Sequence, residues 1–336
     1  MRIAMFGLDR GILHKETPVR RRLASLAAAT GDIMVFVPEE GTRVWALFAL
    51  WRKAARAFRE NRFDIVTVQD TAYLACLAYL LARKYHMPFE VQVHGFEKLR
   101  GMRKIIARFV LRRADRVRVV SERLRKEVVE RFGVQKEKIY VLSVYVQVEA
   151  GMNYKTSPDT FTFLTVGRLV PVKNIALQIR AFAKVVSKSP HARLVIVGSG
   201  YELPRLQLLT THYSLQTHIH FVGKQEKVSQ FYQTADAFIL TSDAEGWGVA
   251  VVEAAAHALP IIMTDVGCAG EFIKNGENGL VIPVGDEMAL VEAMKRLIAD
   301  EPFRRRLGAV ARAAFLALPR AEESIHKQVE EWCFLV

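Results

Sequence analysis

Two carboxylates, Glu245 and Glu253, stand eight positions apart in the segment Glu245-Gly-Trp-Gly-Val-Ala-Val-Val-Glu253. An apolar run of strand length, DAFILTS from Asp236 to Ser242, precedes them. The stretch AAAHALPIIMT follows and reads as a helix end, a proline and another strand. The first glutamate therefore falls on a strand-to-helix loop, and the second in or near the first turns of a buried helix. The loop can set one acid on a bound ligand while the helix sets the other a few ångströms away. The helix N-terminus offers unpaired N–H groups and the positive end of the helix dipole to an anion. Such a combination suits a ligand with both hydroxyls and phosphates, for example a nucleotide sugar. An acidic turn followed by a helix-capping glutamate has the same spacing, so spacing alone leaves both readings open.

Further candidates lie elsewhere in the chain. Arg168 and Lys173 sit on the loop GRLVPVKN, just after the strand-like TFLTVG. Two cations at the carboxyl edge of a sheet suit a diphosphate; a solvated pair is the alternative. Gly198-Ser-Gly200 after LVIVG is a fragment of a phosphate loop, but a lone Gly-x-Gly reads first as a tight strand-to-helix turn. His94 closes the strand PFEVQV and is followed by Gly95.

These residues need a scaffold of alternating strands and helices. RIAMFGL, DIMVFVP, FDIVTVQ, PFEVQVHG, RVRVVS and KIYVLSV read as strands in the first half. TFLTVG, ARLVIVG, HIHFVG, DAFILTS, PIIMTDV and LVIPVG do so in the second. Helical patterns such as VWALFALWRKAARAFREN and NIALQIRAFAKVVSKS lie between them. Continuous apolar strands alternating with helices predict parallel sheets covered on both faces. The expected fold class is α/β, with two Rossmann-like doubly wound domains over residues 1–150 and 151–319. The polar, turn-rich stretch from Ala150 to Asp159 marks the expected boundary. The amphipathic end of the chain, about residues 320–336, is expected to pack back on the first domain.

Composition narrows the class. Cys76, Cys268 and Cys333 show no metal or disulfide spacing, which fits a reducing cytoplasm. The longest apolar run, Thr71 to Ala82, has 12 residues, too few to span a bilayer. A cytoplasmic protein, peripheral on the membrane at most, is expected. Residues 1–150 carry 29 Lys/Arg against 16 Asp/Glu, and residues 151–336 carry 19 of each. The whole net charge of +13 thus lies in the first half. It is densest from Lys98 to Lys138, where 15 basic residues face 5 acidic ones. A one-sided basic field attracts anionic membranes, polyanions or acidic acceptors. Between Val44 and Phe58, Trp45, Phe48, Trp51, Ala55 and Phe58 share a predicted face that is either core-facing or membrane-facing.

With these motifs in order, the chain resembles the retaining glycosyltransferases of the GT-B fold, of the glycosyltransferase 1/4-like group. TVGRLVPVKN, LVIVGSGYELPRL, FVGKQEKVSQFYQTADAFILTS, EGWGVAVVEAAAHALPIIMTDVG and NGENGLVIP carry the likeness. It implies the GT-B architecture, two Rossmann-like domains facing a central cleft. It also implies a nucleotide-diphosphate sugar, UDP- or GDP-linked, held by the second domain. The acceptor, a lipid-linked, polysaccharide or other glycan, would bind the first. Transfer would retain configuration, with no obligatory cofactor or metal.

Residue by residue, the resemblance places the donor against Gly7, Gly167, Arg168, Lys173, Val222, Gly223, Lys224, Glu245, Gly246, Trp247, Gly248, Val249 and Glu253. Glu245 would orient the sugar and Glu253 would accept from the ribose hydroxyls. Val222 to Gln225 would hold the base. Arg168 and Lys173 would stabilise the leaving diphosphate, and His94 would hydrogen-bond the sugar or β-phosphate. Gly267 and Cys268 follow a strand near the sugar pocket. Two departures stand out. The first loop, GLDRGILHKETP, separates Gly7 and Gly11 where the family often has a Gly-Gly pair. Val144 to Gln147 reads Val-Tyr-Val-Gln where Asn-Gly-Val-Asp is usual. Two other readings are an epimerase of nucleotide sugars on the same fold and a non-catalytic basic polyanion binder. No nucleic-acid-binding motif supports the second.

Overall fold

Strand and helix alternate through the chain in the computed structural model, which describes residues 1–8, 17–39, 43–96, 99–146, 148 and 159–336. Contacts gather it into two units, Met1–Val144 with Pro319–Val336, and Tyr145–Leu318. Most of the stretch from Ala150 to Asp159, and with it Gly11, Lys98 and Gln147, lies outside the described residues.

The first unit contains β1 (Arg2–Phe6), α1 (Pro18–Thr30), β2 (Asp32–Phe36), α2 (Arg43–Glu60), β3 (Ile65–Val68), α3 (Tyr73–Lys84), β4 (Phe89–Val93), α4 (Met102–Arg113), β5 (Arg116–Val119), α5 (Glu122–Glu127) and β6 (Ile139–Val141). The strands are parallel in the order β2-β1-β3-β4-β5-β6. β3 and β4 are buried along their whole length, as strands covered on both faces must be. Local chemistry starts the helices. The Thr17 hydroxyl accepts from the Arg20 amide with Pro18 just behind it, and Ser121 accepts from Leu124. The apolar run from Thr71 forms α3, which buries Leu74, Leu77 and Leu81. No helix among the described residues is long and apolar enough to cross a membrane.

The second unit contains β7 (Phe161–Val166), α6 (Ile175–Val186), β8 (Ala192–Val197), α7 (Leu203–His212), β9 (Ile219–Gly223), α8 (Ser229–Thr234), β10 (Ala237–Leu240), α9 (Val249–Ala256), β11 (Ile261–Thr264), β12 (Leu280–Ile282), α10 (Glu287–Ala299) and α11 (Glu301–Leu316). Its parallel order is β12-β11-β10-β7-β8-β9. Strand order reverses between β7 and β10. In doubly wound sheets, ligands bind beyond the carboxyl ends of the strands at such a reversal. The loops 167–174 and 241–248 leave β7 and β10 there, side by side.

The last helix, α12 (Ala321–Cys333), returns to the first unit. Trp332 is fully buried, and its indole N–H donates to Glu90 Oε2 at 2.9 Å. Glu90 is itself buried in β4 and also accepts from Thr67, Gln92 and Tyr140. From β5, Arg116 reaches Glu331 at 2.9 Å and Arg118 reaches Gln328 at 2.9 Å.

The face of α2 that meets the core is offset from the one carrying Trp45, Phe48, Trp51, Ala55 and Phe58. Ala46, Leu50, Ala54 and Phe58, four residues apart, are buried, while Trp45 and Phe48 are exposed and Trp51 and Ala55 half-buried. Only Phe58 of the aromatic face is core, and small alanines fill two of the buried turns.

Candidate active site

The reversal between β7 and β10 joins the two loops that carry the expected chemistry. Lys173 Nζ makes an ion pair with Glu245 Oε1, and the Ser242 hydroxyl donates to the same oxygen at 2.6 Å. Their side chains keep only 17% and 8% of their exposure. The loops are also stitched through the backbone. Asp243 N–H donates to the Val172 carbonyl at 2.8 Å, and Asn174 Nδ2 to Asp243 at 2.9 Å. Beneath them, Thr241 lies within hydrogen-bond reach of the Lys173 and Asn174 carbonyls and accepts from Gln178 Nε2. Ser242 was not singled out from the sequence, although it lies three residues before Glu245, a separation at which a loop can fold one side chain on the other.

Glycines set how closely these segments approach. A methyl group on Gly198 would lie 1.8 Å from the Gly167 carbonyl, and one on Gly200 would lie 2.1 Å from that of Leu169. The Gly-Ser-Gly turn after β8 thus supports the loop that bears Arg168 and Lys173. Gly267, at φ +56°, passes under Glu245, where an added carbon would stand 2.8 Å from that residue's Cβ.

Glu253 lies in α9, one helical turn beyond its start at Val249. Its Oε2 accepts from the Tyr232 hydroxyl at 2.7 Å. Burial pushes the Glu253 carboxyl above the ordinary range, and the bond from Tyr232 opposes that rise. Gly248 starts α9 at φ +95° with no side-chain cap, and its carbonyl takes the N–H groups of Val251 and Val252 at 2.9 and 3.4 Å, so only the first two N–H groups of the helix are left for other acceptors. Gly246 and Trp247 are buried beneath this turn. The Trp247 indole N–H has no hydrogen-bond partner among the described residues.

The remaining expected donor residues spread along the same sheet edge. Gly167 and the exposed Arg168 follow β7, while Val222 and Gly223 end β9 and Lys224 projects beyond it. The Gly223 carbonyl accepts from Gly198 N–H, and that of Val222 from the Gln225 side chain. Gly7 and His94 belong instead to the first unit, after β1 and β4. The Gly7 N–H is already donated to the Phe36 carbonyl at 3.1 Å. What Gly7 can offer a ligand is therefore its missing side chain.

His94 lines a pocket of about 260 Å³ with Asp70, Thr71, Gly95, Phe96, Leu99 and Arg103. Crowding by protein, then the charges of Arg118 and Arg22, push its imidazole well below the ordinary range. The ring is exposed, and water at its open face weakens the first of these effects. Outside that pocket, α4 bears two neighbouring stripes. Met102, Ile105 and Phe109 are exposed apolar residues, and Lys104, Arg108 and Arg112 are exposed basic ones.

Residues 153–314 match the family model for glycosyl transferases group 1, and residues 17–149 that for glycosyltransferase family 4. The chain is 26% identical over 297 residues to N-acetyl-alpha-D-glucosaminyl L-malate synthase of Bacillus anthracis, covering 83% of this chain and 74% of that protein. It is 23% identical over 326 residues to alpha-monoglucosyldiacylglycerol synthase of Acholeplasma laidlawii, covering 88% and 81%. Among solved structures it resembles Anabaena HepE in complex with UDP-glucose, with TM-score 0.83, 18% identity and 100% coverage of both chains. That likeness is one of fold.

Proposed function

This chain belongs to the group 1 and family 4 glycosyltransferases of the GT-B fold, and on that footing we propose that it moves a hexose-type sugar, with retention, from a UDP- or GDP-linked donor to a lipid-linked, polysaccharide or other glycan acceptor. The observation that carries this reading is the meeting of Lys173, Glu245 and an uncapped helix start at the strand-order reversal of the second sheet. Lys173 and Arg168 hold the diphosphate and offset the charge that grows on it as the sugar leaves. Glu245 is tied by Lys173 and Ser242, an arrangement that suits orienting sugar hydroxyls rather than attacking carbon. Glu253 takes the ribose diol, and the first N–H groups of α9 face phosphate or sugar.

In the retaining step, the bond from the anomeric carbon to the phosphate oxygen breaks. The bond to the acceptor oxygen forms on the same face, and the departing phosphate oxygen takes the acceptor's proton. The assignment of His94 to the sugar or β-phosphate rests on the family resemblance, and the lowered pKa makes it a neutral hydrogen-bonding group. A neighbour whose crystals hold UDP-glucose supports a UDP-linked donor. The first unit is assigned the acceptor. The paired stripes of α4 suit an anionic membrane surface, and similarity to an alpha-monoglucosyldiacylglycerol synthase supports a lipid-linked acceptor.

The experiment is a thermal-shift screen across UDP-, GDP- and ADP-sugars, followed by calorimetry and NMR of the product. One nucleotide should stabilise the chain above the others, and the product anomer should match the donor's. Unchanged donor binding in Lys173→Ala and Glu253→Ala would refute the donor site, and an inverted product would refute retention.

A further inference from the structure

Glu253 is held from behind by a buried assembly that the donor reading does not use. Tyr232, in α8, has no solvent exposure, and its hydroxyl lies 2.7 Å from Glu253 Oε2 and 3.4 Å from the Ala250 carbonyl. A phenol has one proton to donate, and the nearer, charged oxygen takes it. The Tyr232 ring lies flat on the His257 imidazole, with centroids 5.2 Å apart and planes 17° from parallel. His257 is buried and engaged at both nitrogens. Nδ1 is 2.8 Å from the Glu253 carbonyl oxygen, and Nε2 is 2.9 Å from Ser229 Oγ. A carbonyl only accepts, so Nδ1 carries a proton and donates to it, while Nε2 shares a hydrogen bond with the Ser229 hydroxyl. The imidazole plane is thereby fixed, and with it the platform on which the phenol rests.

We propose that Tyr232, backed by His257, is a positioning residue that pins Glu253 Oε2 so that Oε1 is presented to the ribose diol of the donor nucleotide. The inference rests on the reading of Glu253 as the ribose ligand. A carboxylate in a helix has free rotation about its last bond, and that freedom must be removed before two hydroxyls can be gripped in one geometry. Burial and the Glu253 charge push the Tyr232 phenol well above its ordinary value, so it stays a donor throughout the working range. Burial raises the Glu253 carboxyl, and the Tyr232 bond is the opposing influence. Removing the phenol hydroxyl therefore lifts that carboxyl further.

The test is calorimetric titration of the full chain with UDP and with 2′,3′-dideoxy-UDP, and with the GDP pair in parallel, across pH. Wild type should favour the ribose form about 100-fold, and Tyr232→Phe about tenfold, the loss of one hydrogen bond to a charged group. Binding of the dideoxy form should stay within about twofold, as a tenfold window requires. The acid limb of ribose-form binding should move to higher pH in Tyr232→Phe. It should move to lower pH when Tyr232 is replaced by 3-fluorotyrosine, a nearly isosteric and stronger donor that keeps the test available if the phenylalanine variant misfolds. A general packing defect would weaken both nucleotides and leave the ratio unchanged. Wild-type discrimination with an unmoved acid limb in the Tyr232 variants overturns the proposal. Glu253→Gln separates the two levels. If it discriminates like wild type, the ribose reading falls and the positioning role with it. If Glu253→Gln loses discrimination and Tyr232→Phe keeps it, only the role of Tyr232 falls.

Discussion

Replacing Lys173 by methionine should destabilise the second unit by about 3 kcal/mol, at the low end of the cost of breaking a buried ion pair. The low end applies because Lys173 keeps 17% of its exposure against 8% for Glu245, so water can partly reach the site. What remains is a carboxylate with one hydroxyl, Ser242, at 2.6 Å. Glu245→Gln should cost less, about 1–2 kcal/mol, because its amide oxygen can still accept from Ser242. In the double variant both charges are gone and about 2 kcal/mol is lost, which makes the coupling about 2–3 kcal/mol, at the upper end for residues in contact. For a unit of this size the Lys173→Met loss shifts Tm by roughly 6–12 °C. Hydrogen exchange of the β10 amides, with urea as the variable, reports the second unit alone. Single-variant losses that add to within about 0.5 kcal/mol would refute the argument, since they would mean the two groups do not depend on each other.

Four further outcomes follow from the same geometry. Gly198→Ala should cost about 3 kcal/mol by driving a methyl into the Gly167 carbonyl, whereas Gly276→Ala, with open space around it, should cost about 1 kcal/mol for its positive φ; urea midpoints compare them. Burial raises the Glu253 carboxyl above 4.5, so its ionised form costs stability above the folded-state pKa, and that cost vanishes below the unfolded value. Glu253→Gln should therefore be more stable than wild type at pH 8, with the gap closing on acidification. Trp332→Phe should lose about 2 kcal/mol because it removes a donor from the buried Glu90, measured by thermal unfolding. Ile105→Glu in α4 should reduce co-sedimentation with anionic liposomes severalfold, and equal wild-type binding to neutral and anionic vesicles would sink the membrane reading.

The parts of the molecule written in local pattern were legible from the sequence. Each run read as a strand is one: β10 and β11 are near-continuous apolar runs buried along their whole length, while β4 (FEVQV) and β5 (RVRV) keep the two-residue alternation of a strand. Lys173 and Glu245 could be named because each sits just after such a run. Their mutual pairing could not, since it depends on β10 lying beside β7 although two strands and three helices separate them in the chain. Tyr232 was hidden for a related reason. It reads as one more aromatic of a short amphipathic helix, and only the packing of α8 against α9 brings its hydroxyl to Glu253. Trp332 carried no signal beyond amphipathicity, because its partner Glu90 is an acid inside a strand that propensity alone would keep apolar.

The charge of the first half illustrates the limit of counting. Fifteen basic residues between Lys98 and Lys138 suggest a broad positive surface, yet several are turned to the protein's own use. Arg116 pairs with Glu331, Arg118 is buried against Gln328 and the Leu142 carbonyl, Arg112 binds the Phe132 carbonyl through Nε, and Lys138 binds that of Ala114. Arg125 and Arg131 pair with glutamates on the same helical segment. Such ties neutralise or anchor the charge locally, and the field they would add at a distance shrinks accordingly. Lys104 and Arg108 of α4 are different in kind, because they run beside Met102, Ile105 and Phe109 instead of beside carboxylates. A basic stripe next to an apolar one gains from an anionic lipid surface in two ways, by charge at first approach and by burial on contact. For the proposed membrane contact, the regional excess of charge therefore matters less than the three turns of one helix on which charge and exposed hydrocarbon coincide.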